Sequence, residues 1–131
     1  MREPLYRIQG AVMKGNRKGR TLGFPTANLS MDGGSEVPFG VYLSQAILES
    51  GERVWGISNV GIRPTLTNDS AATLETHLFC EPCDLYGQVL EVELFSFLRK
   101  ERRFASPDAL IAQIKSDLIL AKQLIEQEKN V

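Results

Sequence analysis

Six short segments with the alternation of β-strands precede one long helical segment, and this order constrains the fold more than any other feature of the chain. Hairpin signals such as Ser50-Gly51-Glu52 lie between the segments, and such spacing favours antiparallel pairing over βαβ units. The sequence therefore predicts an antiparallel barrel. The six predicted strands cover residues 6–13, 26–29, 40–48, 54–60, 73–79 and 89–98.

The last segment has a clear helical start. Ser106 suits the N-cap, Pro107 suits the first helical position, and Asp108 complements the positive end of the helix dipole. We predict a helix over 107–127 that packs its apolar stripe against the outside of the barrel. The stripe consists of Leu110, Ile111, Ile114, Leu118, Ala121, Leu124 and Ile125, and the predicted solvated face consists of Lys115, Asp117, Lys122 and Glu126.

Length, charge and hydropathy limit the class of protein. A chain of 131 residues with 43% hydrophobic residues predicts one domain over 1–131. A net charge of -1 argues against a dedicated nucleic-acid binder, which normally has a strong basic excess. No export signal or long apolar run is visible, so the sequence predicts no membrane partner and a cytoplasmic location.

The run from Gly19 to Asn28 combines glycine, positive charge, a rigid proline and two oxygen ligands. Gly15 and Arg20 belong to a loop whose glycines let the backbone approach a ligand and whose cations suit phosphate oxygens. Thr26 and Asn28 are two residues apart, so both point to one face of an extended strand. Neutral oxygens on one face suit Mg²⁺ that also binds nucleotide phosphates.

Four motifs occur in a fixed order: Gly-Arg-x-x-Gly-Phe-Pro-Thr-Ala-Asn at 19–28, Leu-Glu-Thr-His-Leu at 74–78, Asp-Leu-Tyr-Gly at 84–87 and Leu-Arg-Lys-Glu-x-x-Phe at 98–104. In this order they closely resemble the riboflavin kinase family, from about Tyr6 to Lys122. The resemblance implies a six-stranded antiparallel Greek-key β-barrel with a C-terminal helix. It also implies transfer of the γ-phosphate of ATP to the 5'-hydroxyl of the ribityl chain of riboflavin, giving FMN and ADP.

The resemblance also implies roles for individual residues. Glu75 would accept the proton of the attacking hydroxyl. His77 is two residues further on and shares the face of Glu75, and we assign it only a packing or orienting role. Thr26 and Asn28 would hold Mg²⁺. The remaining implied contacts are Gly15 and Arg20 with the nucleotide phosphates, Leu78 and Tyr86 with the adenosine side, and Arg99, Arg102 and Phe104 with the flavin.

The family's kinase module is often fused in bacteria to an FAD synthetase module, an adenylyltransferase that makes FAD from FMN. The chain has no room for that module, so we expect either a stand-alone kinase or the kinase domain of a longer protein. The competing functional class is a non-catalytic flavin- or nucleotide-binding barrel, which would not need Thr26, Asn28 and Glu75 together.

Two further features have more than one interpretation. The segments 31–39 and 61–71 are polar and long for hairpin loops, and either could be a lid over bound ligands or a variable surface loop. Cys80 and Cys83 lie close to His77, but a closed zinc site needs a fourth ligand, and a turn between strands does not suit a redox motif. We interpret the cysteines as reduced thiols.

Overall fold

The structure, a computed structural model, describes residues 3–13, 25–31, 36–64, 70–80, 84–102 and 104–129. Within these residues, six strands precede one helix, in the order that the sequence predicts. The strands are β1 (Tyr6–Ala11), β2 (Thr26–Ser30), β3 (Gly40–Ile47), β4 (Arg53–Pro64), β5 (Ser70–Leu78) and β6 (Val89–Arg99), and the helix is α1 (Pro107–Lys129).

All six strands belong to one antiparallel sheet with the order β1-β6-β3-β4-β5-β2. Strands β3, β4 and β5 follow one another, and β6 returns to lie beside β3, which is the Greek-key arrangement. Beyond β1, the Met13 amide donates a hydrogen bond of 2.7 Å to the Asn28 carbonyl in β2. This bridge joins the two edges of the sheet, so the barrel is nearly closed.

The barrel interior is apolar, because the strands alternate buried and more exposed residues. Leu29, Leu74, Leu78, Leu90 and Leu94 are fully buried in this interior, together with the ring of Tyr42. Polar groups are tolerated there because they are paired.

Three buried hydroxyls form the polar part of this interior. Ser58 lies between Ser44 and Thr76, with oxygen–oxygen distances of 2.8 and 2.7 Å. Its hydroxyl therefore links β3, β4 and β5 inside the barrel.

Helix α1 packs on the outer face of the sheet. Ala121 and Ile125 form a second apolar cluster with Val41 and Leu43 of β3 and Ile57 of β4. The Ser106 hydroxyl caps the helix by accepting a hydrogen bond of 3.1 Å from the Ala109 amide, as the sequence predicts. No helix among the described residues is both long and apolar enough to span a bilayer.

Two expectations are wrong in detail. Strand β4 extends to Pro64 and β5 begins at Ser70, so much of the segment predicted as a loop over 61–71 is paired strand. Residues 65–69, and residues 32–35 of the other predicted loop, lie outside the described residues. Asp117 is 5% exposed and belongs to the buried side of α1, not to its solvated face.

Candidate active site

Residues from three separate motifs lie in one row across the outer face of the sheet. Asn28 of β2 is directly opposite Glu75 of β5, and Glu75 is opposite Asn59 of β4. The row continues through Val41 of β3 to Arg99 of β6. Directly opposite residues of antiparallel strands share a face, with Cβ atoms about 4.5–5.5 Å apart. The fold therefore brings the predicted metal ligand Asn28 next to the predicted base Glu75.

The two faces of β5 differ in exposure. Leu74, Thr76 and Leu78 point into the barrel and are fully buried. Glu75 and His77 alternate with them, and their side chains are 28% and 17% exposed. A ligand outside the barrel can therefore reach the Glu75 carboxylate.

A histidine connects the predicted metal ligand Thr26 to the predicted base. Thr26 is directly opposite His77, and its Oγ1 lies 3.1 Å from His77 Nδ1. The other ring nitrogen, His77 Nε2, lies 3.3 Å from Glu75 Oε1. The sequence indicates that His77 shares a face with Glu75, but it does not show the contact with Thr26, because that contact depends on the pairing of β2 with β5.

The chemistry of this face fits a divalent cation that is shared with a nucleotide. Thr26 and Asn28 supply a hydroxyl and an amide oxygen beside the carboxylate of Glu75. The described part of the chain contains no group of three or more His, Cys, Asp or Glu side chains that could hold a metal. Mg²⁺ commonly takes one or two protein oxygens and completes its shell with water and phosphate oxygens, so a sparse set of hard donors suits it.

The three predicted flavin contacts lie together at the start of α1. The guanidinium carbons of Arg99 and Arg102 are 5.8 and 5.7 Å from the centre of the Phe104 ring. Cations at such distances from an aromatic ring are attracted to its face. The cluster therefore offers an aromatic ring flanked by two cations.

The two arginines differ in their remaining partners. Arg99 makes a two-fold ion pair with Asp117 of α1, with both nitrogen–oxygen distances at 2.9 Å, and donates a third bond to the Lys100 carbonyl. The Asp117 carboxylate therefore balances the charge of Arg99. Arg102 is exposed and contacts the neutral Gln113 side chain at 3.1 Å. Arg102 is consequently the better placed of the two for an anionic or polar ligand.

Asp117 lies beside the predicted flavin contacts and not on the solvated face that the sequence predicts. It accepts a further hydrogen bond of 3.0 Å from Gln113, so its carboxylate joins the helix to the Arg99 cluster. The signal was present in the sequence: Asp117 is three residues after Ile114 and four before Ala121, which is the spacing of the apolar stripe.

Asn59 is a further member of the row that the sequence does not predict. Its side-chain oxygen is buried and has no hydrogen-bond partner among the described residues, although it lies in the row beside Glu75. No motif marks this residue in the sequence.

The remaining predicted contacts are less well placed or lie outside the description. Leu78 is fully buried in the barrel core, whereas Tyr86 is 60% exposed, in a turn where its amide donates to Asp84. Gly15, Arg20 and Cys83 lie outside the described residues. Cys80 is half-buried and packs against the core.

Comparison with known proteins decides the family, because the riboflavin kinase (flavokinase) family model matches residues 3–125. The chain belongs to the riboflavin kinase family. This finding confirms the resemblance, the barrel fold and the kinase class that the sequence predicts.

The curated relatives of this chain are longer proteins. The chain is 44% identical over 117 residues to the bifunctional riboflavin kinase/FMN adenylyltransferase of Haemophilus influenzae, covering 89% of this chain and 38% of that protein. It is 40% identical over 119 residues to the protein of the same name from Escherichia coli K12, covering 90% and 37%. The chain therefore spans little more than a third of the length of these relatives.

Solved structures share the fold. A structure described as a macrolide-efflux protein from Streptococcus pneumoniae is 31% identical, with a TM-score of 0.77, over 91% of this chain and 38% of that one. The riboflavin kinase of Trypanosoma brucei is 21% identical, with a TM-score of 0.61, over 94% of this chain and 81% of that one.

Proposed function

We propose that this chain transfers the γ-phosphoryl group of ATP to the ribityl 5'-hydroxyl of riboflavin, giving FMN and ADP, on the outer face of β2 and β5. The observation that carries this proposal is the pairing of Asn28 with Glu75, and of Thr26 with His77, on adjacent strands. Membership of the riboflavin kinase family supports the reaction, and the register of β2 with β5 supports its location on this face of the sheet.

Glu75 is the general base in this proposal. As the 5'-oxygen of riboflavin forms its bond to the γ-phosphorus, the bond from that phosphorus to the leaving oxygen of ADP breaks. The proton of the hydroxyl passes to the Glu75 carboxylate, whose side chain is 28% exposed and therefore reachable. Positioning and charge stabilisation supply most of the rate in such reactions, so the base needs no unusual strength.

Thr26 and Asn28 hold Mg²⁺ through their side-chain oxygens in this proposal. When bound, Mg²⁺ neutralises charge on the nucleotide phosphates. The two protein oxygens fix the nucleotide beside Glu75, because strand β2 is itself fixed by five residue pairs with β5. Gly15 and Arg20 contact the phosphates, and Tyr86 lines the adenosine side, whereas the Leu78 side chain lies in the barrel core and is not part of this proposal.

Arg102 and Phe104 contact the flavin, and Arg99 holds them in place through its ion pair with Asp117. The isoalloxazine ring is flat and aromatic, so an aromatic side chain with nearby cations suits it. The same three residues lie near the end of the row that contains Glu75, since Arg99 is its last member.

The wider context of the module follows from its relatives. We propose that this chain corresponds to the kinase module of a bifunctional enzyme, and that the adenylyltransferase activity in the relatives' names belongs to the part of those proteins that this chain does not cover. A cytoplasmic location is part of the same proposal.

A direct assay tests this function. The chain is incubated with riboflavin and ATP, with Mg²⁺ or with EDTA, and FMN is separated from riboflavin by chromatography. We expect FMN and ADP in equal amounts, only when the metal is present. Riboflavin binding without any FMN would contradict the proposal and favour the non-catalytic barrel.

A further inference from the structure

We propose that His77 is a positioning residue that fixes the direction of the Thr26 hydroxyl, so that its oxygen lone pairs face the cation. This inference rests on the proposed function, because it takes Thr26 as a metal ligand. It goes beyond that function by assigning to His77 a role in binding the metal–nucleotide complex.

The hydrogen positions follow from the chemistry of the three groups. A neutral imidazole has one N–H donor and one acceptor nitrogen, whereas a carboxylate only accepts. Because Glu75 Oε1 lies 3.3 Å from His77 Nε2, the favourable tautomer has its proton on Nε2. The opposite tautomer would direct a nitrogen lone pair at the carboxylate.

The tautomer of His77 then determines the direction of the Thr26 O–H bond. With its proton on Nε2, His77 has an acceptor at Nδ1, and Thr26 Oγ1 lies 3.1 Å from that atom. Thr26 must therefore donate its single proton to Nδ1. Its oxygen keeps both lone pairs for a cation on the outer face of β2, and the hydroxyl is directed before any ligand arrives.

Glu75 gains a fixed position from the same contact. Its carboxylate is on the strand of His77, two residues away, and the ring holds one of its oxygens. The other oxygen remains to accept the substrate proton. One ring thus orients a metal ligand on β2 and the base on β5. Partners of this kind typically change metal affinity or activity by about 10–100-fold.

The test measures nucleotide binding, not turnover. Calorimetry gives the affinity for ADP with Mg²⁺ and with EDTA, and the ratio of the two affinities is the metal-dependent gain. His77→Phe keeps a ring of similar size but removes both nitrogens. We expect it to lower the metal-dependent gain by about 10-fold or more, while the affinity in EDTA stays the same. An unchanged gain would overturn the inference.

Thr26→Val, alone and combined with His77→Phe, separates this inference from the proposed metal site. Thr26→Val should lower the gain by itself, and His77→Phe should then have little further effect, because both changes remove the same directed oxygen. If Thr26→Val keeps the wild-type gain, the metal site itself is wrong. If Thr26→Val lowers the gain and His77→Phe does not, only the role of His77 is wrong.

His77→Gln serves as the conservative variant. A glutamine amide carries one donor and one acceptor group, so it can retain part of the connection between Thr26 and Glu75. We expect it to keep more of the metal-dependent gain than His77→Phe at an equal melting temperature. If His77→Phe folds, an equal loss of the metal-dependent gain in His77→Gln and His77→Phe would overturn the inference. If His77→Phe does not fold, His77→Gln is combined with Thr26→Val instead. Additive losses in that double variant would then overturn the inference.

Discussion

Both faces of β5 carry polar side chains, and the protein uses them in opposite ways. On the inner face, Thr76 is fully buried and its hydroxyl is paired with Ser58. On the outer face, Glu75 and His77 are partly exposed and connect to Thr26 on the neighbouring strand. Polar residues in a strand therefore do not mark a functional site by their presence. Whether a polar residue of a strand contributes to stability or to the reaction depends on the face to which it points and on the accessibility of its atoms.

This comparison predicts that substitutions at the proposed site on the outer face change activity, and that substitutions on the inner face, or in ion pairs away from Glu75, mainly change stability. A variant that changes the wrong quantity would weaken the division between the faces.

The largest effect is expected for Glu75→Gln. Turnover should fall by about 10²–10⁴-fold, or roughly 3–5 kcal/mol in activation free energy, because the amide cannot accept the hydroxyl proton. The melting temperature should change little, since Glu75 is on the outer face. Thr76→Val is the adjacent control: it should lower stability and leave turnover within a few-fold. Near-normal turnover in Glu75→Gln would remove this residue from the role of base.

The next effect concerns the contact between the sheet and α1. Asp117→Ala leaves the Arg99 side chain, which is 19% exposed, without its carboxylate partner. We expect a loss of about 3 kcal/mol in unfolding free energy, near the lower end for a broken buried ion pair. Riboflavin affinity should also fall, because Arg99 and Phe104 lose their anchor.

Denaturant titration measures the loss from Asp117→Ala, with Asp108→Ala as the control. Asp108 is an exposed carboxylate in the first turn of the same helix, where a charge contributes about 0.3–1 kcal/mol. Equal losses of unfolding free energy in the two variants would show that the Arg99–Asp117 ion pair contributes no more to stability than the exposed Asp108 carboxylate.

The sequence specifies the fold more completely than it specifies the site. Alternation, turn residues and the N-cap at Ser106 are local signals, and they predict the six strands and the start of α1. The predicted end of β4 and the predicted start of β5 are less accurate, because Pro64 and the polar residues around Ser70 suggest a loop. Pro64 is nevertheless the last residue of β4 and lies opposite Ser70 of β5.

Contacts between distant strands are the part that local signals do not reach. The motifs name Asn28, Glu75 and Arg99, but their alignment in one row depends on three strand registers. The link from Thr26 through His77 has the same origin. Asp117 is a different case. Its spacing along the helix indicates that it lies on the buried side, but its charge suggests the solvated face, and the prediction followed the charge.

A smaller effect is expected inside the barrel. The Ser58 hydroxyl donates to Ser44, so Thr76 must donate to Ser58, and removing the Ser58 oxygen leaves buried groups without partners. Ser58→Ala should cost about 1–3 kcal/mol in unfolding free energy with turnover unchanged. Ser50→Ala, at an exposed turn, should cost less than about 0.5 kcal/mol. A turnover loss in Ser58→Ala with normal stability would contradict the assignment of this face to stability.

The smallest effect concerns Glu93, on the outer face but away from the proposed site. Burial acts to raise the pKa of Glu93, and hydrogen bonds from Arg53 and Arg7 outweigh it, so the pKa is lowered. A lowered pKa in the folded state stabilises the protein only while the carboxylate is ionised. The contribution is therefore complete above the unfolded pKa of about 4.3 and is lost as the pH falls through the folded value.

The measurement for Glu93 is the pH dependence of stability. The difference in unfolding free energy between the wild type and Glu93→Gln should be a few tenths to about 1 kcal/mol at pH 7, as for partly exposed ion pairs. It should shrink as the pH is lowered below about 4. Glu91→Gln is the matched control, since Glu91 lies 3.9 Å from Arg7 and is 40% exposed. A difference that stays constant from pH 7 to pH 3 would contradict the assignment.

The most direct test of the central claim locates the metal without using activity. Mn²⁺ takes the same oxygen ligands as Mg²⁺, and as Mn-ADP it broadens the nuclear magnetic resonance signals of nearby amides. Among the described residues, we predict the strongest broadening at 26–28 of β2 and 75–77 of β5. Broadening should be weakest at Gly51, in the turn after β3. Strongest broadening at Gly51 or around Glu93, with little effect on β2 and β5, would show that the nucleotide metal lies elsewhere and would contradict the account.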